Sequence, residues 1–209
     1  MNILLADHHP LFRKGLKCIM SKHKDFHFEG NVSDGSDLIQ AIKNYEADIV
    51  ILEIDLPNAN GVGSLREIRA NFPEIKTLVV SCHSEEIYAM SSIKAGANGY
   101  ISKTRSVKEV RKALISVSNG GTYLHDDIQS RLNDSSHSNN ILKFKKLSTR
   151  EIEVLNLLSR GKRNKDIAQS LTINEKTVST YKTRLLKKLN VDNIADLIHQ
   201  SRLMQINGN

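Results

Sequence analysis

Five short strand-like runs, several of them continuously apolar, alternate with amphipathic stretches through the first 120 residues, and this alternation leaves few folds open. The runs are Ile3–Ala6, Phe26–Val32, Asp48–Leu52, Thr77–Val80 and Gly99–Ser102. Helical patterns lie between them near Pro10–Met20, Ser36–Asn44, Gly63–Asn71 and Glu85–Lys94, and another follows at Val107–Ser118. Several runs are too continuously apolar for a sheet with one wet face, which predicts strands covered on both sides. Repeated β-α units of this length imply a parallel sheet with right-handed crossovers.

Five such strands point to an α/β domain of the flavodoxin-like order 2-1-3-4-5. Residues 120–146 break the pattern, and Asn133–Asn140 is polar enough to read as a linker or loop. Beyond it every segment reads as helical. Ser148 or Thr149 caps a helix to Arg160, with Gly161 as its stop. A short helix follows at Lys165–Leu171, and Asn174 caps a third that runs to Leu189. A fourth covers Ile194–Leu203. The expected organisation is therefore an α/β domain over residues 1–122, a linker over 123–145, and a small all-α four-helix domain over 146–209.

Charge separates the two halves. Residues 143–209 carry 14 Lys and Arg against 6 Asp and Glu, whereas the first 142 carry 16 against 17. A basic back end behind a neutral front predicts that the back meets a polyanion. No apolar run approaches the roughly 20 residues needed to cross a bilayer. Met1–Asp7 reaches an acidic residue at once and lacks a signal-peptide pattern. A cytoplasmic chain without membrane contact is the expectation. Cys18 and Cys82 have no metal-ligand spacing and read as reduced, semi-buried thiols.

On a helical wheel Val178, Tyr181, Leu185 and Leu189 form one apolar stripe. Lys176, Thr180, Thr183 and Lys187 lie opposite, flanked by Ser179 and Arg184. Hydroxyls and cations without a carboxylate suit a major groove, where Lys donates to guanine and Ser or Thr meets bases or phosphates. The short preceding helix and the tight Thr172-Ile173-Asn174 connection are those of a helix-turn-helix.

Residues 147–197 resemble the LuxR-type helix-turn-helix: Leu147 to Leu155, Gly161, Asn164 to Ala168, Lys176 to Val178 and Lys188 to Val191 carry the likeness. With the α/β domain in front, the chain resembles a NarL/FixJ-type response regulator, part of a two-component phosphorelay, over nearly its full length. The resemblance implies a DNA-binding transcription regulator whose partners are double-stranded DNA, a second copy of itself and a signalling histidine kinase. It also implies that the fourth helix pairs two subunits, through Ile194, Leu197 and Ile198, with Leu203 on the same face.

The family's receiver uses two acidic residues after strand 1, a phosphate-accepting Asp after strand 3, Ser or Thr after strand 4 and Lys after strand 5. Pro57, Gly61 and the run Ala95–Tyr100 fix the alignment. Asp7, Ser81, Tyr100 and Lys103 match, while His8 and Glu53 depart. Glu53 is one methylene longer than Asp, which moves its oxygens by about an ångström relative to a phosphoryl donor, in chemistry that is mainly positioning. His8 stands where Mg²⁺ wants hard oxygen. The two departures together predict a regulator that acts without aspartyl phosphorylation and holds no cofactor, with Mg²⁺ binding disfavoured. Glu53 is expected to reach Lys103, and His8 to be partly protonated near neutral pH. Two uses of such a pocket stay open: Glu53 imitates the phosphorylated state, or the pocket is a vestige and the fold serves dimerisation. Two other functions also stay open, a conventional kinase-phosphorylated regulator and a pseudo-receiver that senses a ligand or partner protein.

Asp55 is expected to face solvent, the family using only a backbone carbonyl there. His8 and His9 with Asp7 and Glu53 offer Zn²⁺ donors. Adjacent histidines are not expected to point into one pocket, and His9 precedes Pro10 at a helix entry, so no metal site is expected. The pocket lacks a nucleophile–base pair, which argues against an enzyme.

Overall fold

The computed structural model describes residues 1–21, 23–133 and 147–206. The expected linker lies outside these residues from 134 onward, as do the side chains of 202–206, Leu203 among them. The chain divides into two compact units, Met1–Cys82 with Ser92–His125, and His83–Ser91 with Asp126–Asn209.

Strands β1 (Asn2–Ala6), β2 (His27–Val32), β3 (Ile49–Leu52), β4 (Lys76–Ser81) and β5 (Gly99–Ser102) form one sheet of order β2-β1-β3-β4-β5, parallel throughout. Helices α1 (Pro10–Met20), α2 (Leu38–Asn44), α3 (Gly61–Asn71), α4 (Glu85–Ala95) and α5 (Val107–Ser118) connect and follow the strands. β3 and β5 are buried at every position, whereas the edge strand β2 alternates. That difference is why four runs read as continuous apolar segments. One sheet face, with Ile3, Leu5, Ile51, Val80 and Ile101, packs against Leu16 and Met20 of α1 and Leu114 and Val117 of α5. Leu4, Val50, Leu52 and Val79 on the opposite face are equally buried.

Local chemistry sets the helix boundaries. Pro10 opens α1 behind His9. A capping box of Ser106 and Glu109 opens α5. α2 starts later than expected because the Asp34 side chain accepts from the Ser36 N–H and folds Gly35–Asp37 into a 3₁₀ turn. α3 begins at Gly61, two residues early. A Cβ there would collide with the backbone of Ile54, so only glycine lets the β3–α3 loop close on the helix.

The first unit runs past residue 122. Tyr123 is buried in the core and bridges Gly99, its carbonyl accepting from the Tyr100 N–H at 3.0 Å. A helix not expected from sequence, α6 (Asp126–Asn133), occupies the start of the supposed linker. Its two first-turn aspartates suit a helix N-terminus, and Ile128 is buried.

The second unit contains α7 (Thr149–Ser159), α8 (Asn164–Leu171), α9 (Glu175–Leu189) and α10 (Ile194–Ile206). Ser148 and Glu151 form the capping box of α7. Thr172, in the left-handed region at φ 53°, ends α8, and Asn174 caps α9 by accepting from the Thr177 N–H at 2.7 Å. α9 packs on α7 and α8, and α10 packs on α7 and α9. No helix among the described residues is long and apolar enough to cross a membrane. Both cysteines are exposed, not semi-buried as the sequence predicts. Even so, partial burial pushes the Cys82 thiol up.

Candidate functional site

The carboxyl ends of β1, β3, β4 and β5 meet at one polar cluster. Parallel strands of similar length end in register, so Asp7, Glu53, Ser81 and Lys103 converge although they lie up to 96 residues apart. The Lys103 ammonium lies 2.5 Å from Asp7 Oδ2 and 2.8 Å from Glu53 Oε2, with all three side chains nearly inaccessible. Glu53 Oε1 accepts from the Ser81 hydroxyl and, at 3.1 Å, from the Asp55 N–H. Phe12 lies under the ammonium, its ring centroid 4.4 Å away. Tyr100 is buried within β5, three residues before Lys103.

Three readings of this region need correction. Asp55 is half-buried with Oδ1 shielded from solvent, since the β3–α3 loop folds its side chain inward. His8 is pushed below the usual histidine range, first by burial and then by the neighbouring His9, which outweigh the carboxylates of Asp7 and Glu53. It is therefore more fully neutral near pH 7 than expected. His8 and His9 do point the same way: their ring centroids are 3.9 Å apart, and with Asp7 they bring three potential ligand atoms within 4.8 Å of one another.

His9, dismissed from sequence as a helix-entry residue, belongs to the cluster. Asp7 Oδ1 accepts from the His9 N–H at 2.7 Å and lies 2.8 Å from His9 Nδ1, while Lys103 Nζ is 2.9 Å from the same nitrogen. One ring nitrogen cannot both donate to Asp7 and accept from Lys103. The carboxylate is the stronger claimant, since Lys103 already has two other anions. Arg13 donates to the Asp7 carbonyl. The only sequence hint was the spacing of His9, Phe12 and Arg13, which puts them on the first turn of α1 beside the strand end.

The Mg²⁺ ion that the family resemblance implies does not fit these residues. Such an ion needs a near-octahedral set of oxygens. Here Lys103 and His9 engage the oxygens of Asp7; Lys103, Ser81 and Asp55 engage those of Glu53; and His8 offers nitrogen.

In the second unit α9 exposes Lys176, Ser179, Thr180, Thr183, Arg184 and Lys187, all six of the predicted DNA-facing residues. Val178, Leu185 and Leu189 are fully buried beneath them. Tyr181, assigned from sequence to the buried stripe, is only half-buried, and the Arg184 guanidinium lies 5.9 Å from its ring centroid. The hydroxyls of Ser179, Thr180 and Thr183 donate to carbonyls one turn back, so each retains acceptor capacity. Asn164, at the start of α8, accepts from Lys182 at 3.1 Å and donates to Ser179 at 3.4 Å, tying the two helices of the turn together. Lys188 reaches the buried Glu151 at 2.7 Å, an ion pair that ties α9 to α7. Burial would raise the Glu151 carboxyl, but Lys188 and the Ser148 cap outweigh it and hold it below the usual range.

Of the dimerisation candidates, Leu197 is completely buried and belongs to a core, not to an interface. Ile194 and Ile198 are half-buried.

Comparison with known proteins agrees with both units. Residues 3–115 match the response regulator receiver domain, and residues 145–201 match the luxR family of bacterial regulatory proteins. The oxygen regulatory protein NreC of Staphylococcus epidermidis is 32% identical over 209 residues, covering 95% of each chain. The transcriptional regulatory protein DegU of Brevibacillus brevis is 30% identical, covering 96% of this chain and 92% of its own. In fold the chain is similar to RcsB of Salmonella enterica serovar Typhimurium, solved bound to the promoter rprA with phosphomimetic BeF₃⁻ (TM-score 0.83, 23% identity, 97% and 98% of the two chains). Two matched modules in this order, with relatives aligned along almost their whole length, mean that the chain belongs to the response regulators that join a receiver domain to a luxR-type helix-turn-helix, a family of DNA-binding transcription regulators and not of enzymes.

Proposed function

We propose that this regulator binds double-stranded DNA as a homodimer in the cytoplasm and that its receiver-like unit works without aspartyl phosphorylation. In this reading the receiver-like unit supplies protein–protein contact, and residues 146–209 read DNA through Lys176, Ser179, Thr180, Thr183, Arg184 and Lys187.

The observation that carries it is the state of Glu53. A phosphate acceptor must present a free oxygen in line with a donor and a metal ion. Glu53 is 1% exposed, and its two oxygens bind Lys103, Ser81 and the Asp55 N–H. Both Glu53 oxygens are therefore engaged by groups of the chain itself, without phosphate. RcsB has been solved as two dimers on two parallel DNAs, which supports a dimeric arrangement for a chain of the same fold. Two-fold half-sites are then expected near one helical turn, ~10 bp apart.

The test is the DNA affinity of untreated full-length protein, compared with residues 143–209 alone and with full-length protein given Mg²⁺ and beryllofluoride. Binding at least as tight as the fragment, unaltered by the additive, is the expected result. Poor binding rescued by the additive, or labelling by acetyl phosphate, returns the protein to conventional kinase control. A fall in dimer affinity in Glu53→Ala supports imitation of the phosphorylated state; unchanged affinity supports the vestige.

A further inference from the structure

We propose that Asp7, His8 and His9 form a binding site for a borderline transition-metal ion of the Zn²⁺ class, selective against Mg²⁺. The inference shares with the functional proposal the reading of His8 in place of an oxygen ligand. Its test involves no phosphoryl transfer, so the two fail separately.

One ligand atom from each of the three residues lies within 4.8 Å of the others. A tetrahedral ion with bonds of about 2.0–2.2 Å asks for ligands about 3.3 Å apart. The set must therefore contract by about 1.5 Å at most, which small side-chain rotations supply. His9 Nδ1 and Asp7 Oδ1, at 2.8 Å, are already that close, and the two imidazoles stand side by side.

The second observation is an unmet need. His8 Nδ1 is buried and has no hydrogen-bond partner among the described residues. A shielded ring nitrogen without a partner is costly, and turning the His8 ring to present Nδ1 to a metal ion would satisfy it.

The donor set then selects the class. Two imidazoles and one carboxylate suit Zn²⁺, Ni²⁺ or Cu²⁺, whereas Mg²⁺ prefers oxygen. The ligands are consecutive residues at the end of β1, held between β2 and β3, and Pro10 stiffens the exit into α1. Three protein ligands leave a fourth position open. Lys103 is the competitor, at 2.5 Å from Asp7 Oδ2 and 2.9 Å from His9 Nδ1. Metal entry would draw both groups from Lys103 and leave the ammonium to Glu53. Occupancy of the site is thereby coupled to the centre of the receiver pocket.

The experiment is calorimetric titration of chelator-stripped full-length protein with ZnCl₂ and, separately, MgCl₂. Cys18→Ser and Cys82→Ser are present throughout to remove thiol ligation, and Co²⁺ absorption serves as a second readout. We expect Zn²⁺ binding without measurable Mg²⁺ binding. His8→Asn and His9→Asn should each lower Zn²⁺ affinity about tenfold or more. His8→Asp should lower Zn²⁺ affinity and gain Mg²⁺ binding. This acidic variant restores the family's usual pair and keeps the test decisive if an asparagine variant does not fold. Unchanged Zn²⁺ affinity in the His8 variants, or Mg²⁺ binding as tight as Zn²⁺ in the parent, would overturn the proposal.

Discussion

Lys103→Met is the sharpest perturbation of the receiver pocket. The ammonium lies 2.5 Å from one buried carboxylate and 2.8 Å from another, so removing it leaves two like charges facing each other with little solvent between them. Breaking a buried ion pair by deleting one partner typically costs about 3–5 kcal/mol. The remaining donors moderate this. Asp7 keeps the His9 N–H, and Glu53 keeps the Ser81 hydroxyl and the Asp55 N–H. A proton is the substitute cation. Taking one up at pH 7, against the ordinary carboxylate range, costs about 4 kcal/mol and about 1.4 kcal/mol less for each pH unit lower. The loss should therefore approach 4 kcal/mol at pH 7 and shrink towards 1 kcal/mol at pH 5. The sign follows from protonation of the folded variant but not of its unfolded chain, so stability falls as pH rises. Urea unfolding followed by circular dichroism at both pH values reads this on the transition that the substitution moves. Adding Glu53→Gln should recover most of the loss at pH 7. A deficit that is small or independent of pH would refute the claim that Lys103 is the cation holding this pocket together.

Glu109 is held down to about 2, chiefly by the Ser106 hydroxyl and N–H and less by His125. Its contribution should be complete above 4.5 and vanish as pH falls towards 2, and Glu109→Gln should flatten the melting temperature across that window. Gly61→Ala should destabilise by about 1–3 kcal/mol in thermal unfolding, because its methyl meets the Ile54 backbone and not a side chain that can move. On DNA, Lys187→Ala should weaken binding to all sequences and reduce the salt slope by about 0.9, whereas Thr183→Ala should change sequence preference. Leu197→Ala should cost about 2–5 kcal/mol of stability as a core truncation, while Ile198→Ala should spare stability and weaken dimer formation in sedimentation analysis.

Much of the fold was legible because its signals are local. The continuous apolar character of Ile49–Leu52 and Gly99–Ser102 reports burial on both faces, and the strand order follows from β-α alternation. The stripe of Val178, Leu185 and Leu189 left the six DNA-facing candidates outward, as the wheel requires. Helix α6 escaped because it is short and opens on a polar run, Asp126 and Asp127, that reads as part of a linker. Leu197 was misassigned because an apolar residue on a terminal helix looks the same whether it faces its own core or a partner. Tyr181 lies at the margin of its stripe and is only half-buried, with Arg184 near its ring.

The sequence alone determined the two-module organisation, the order of elements and the identities of Asp7, Glu53, Ser81 and Lys103 at strand ends, since periodicity and turn chemistry act over a few residues. Tertiary structure decided how those groups use one another. It turned His9 beside His8, pulled Asp55 inward, biased His8 towards neutrality through burial, and set one ammonium between two carboxylates. Distances of a few ångströms between residues dozens of positions apart arise from sheet register and loop closure, and those long-range constraints leave no periodic trace in the chain.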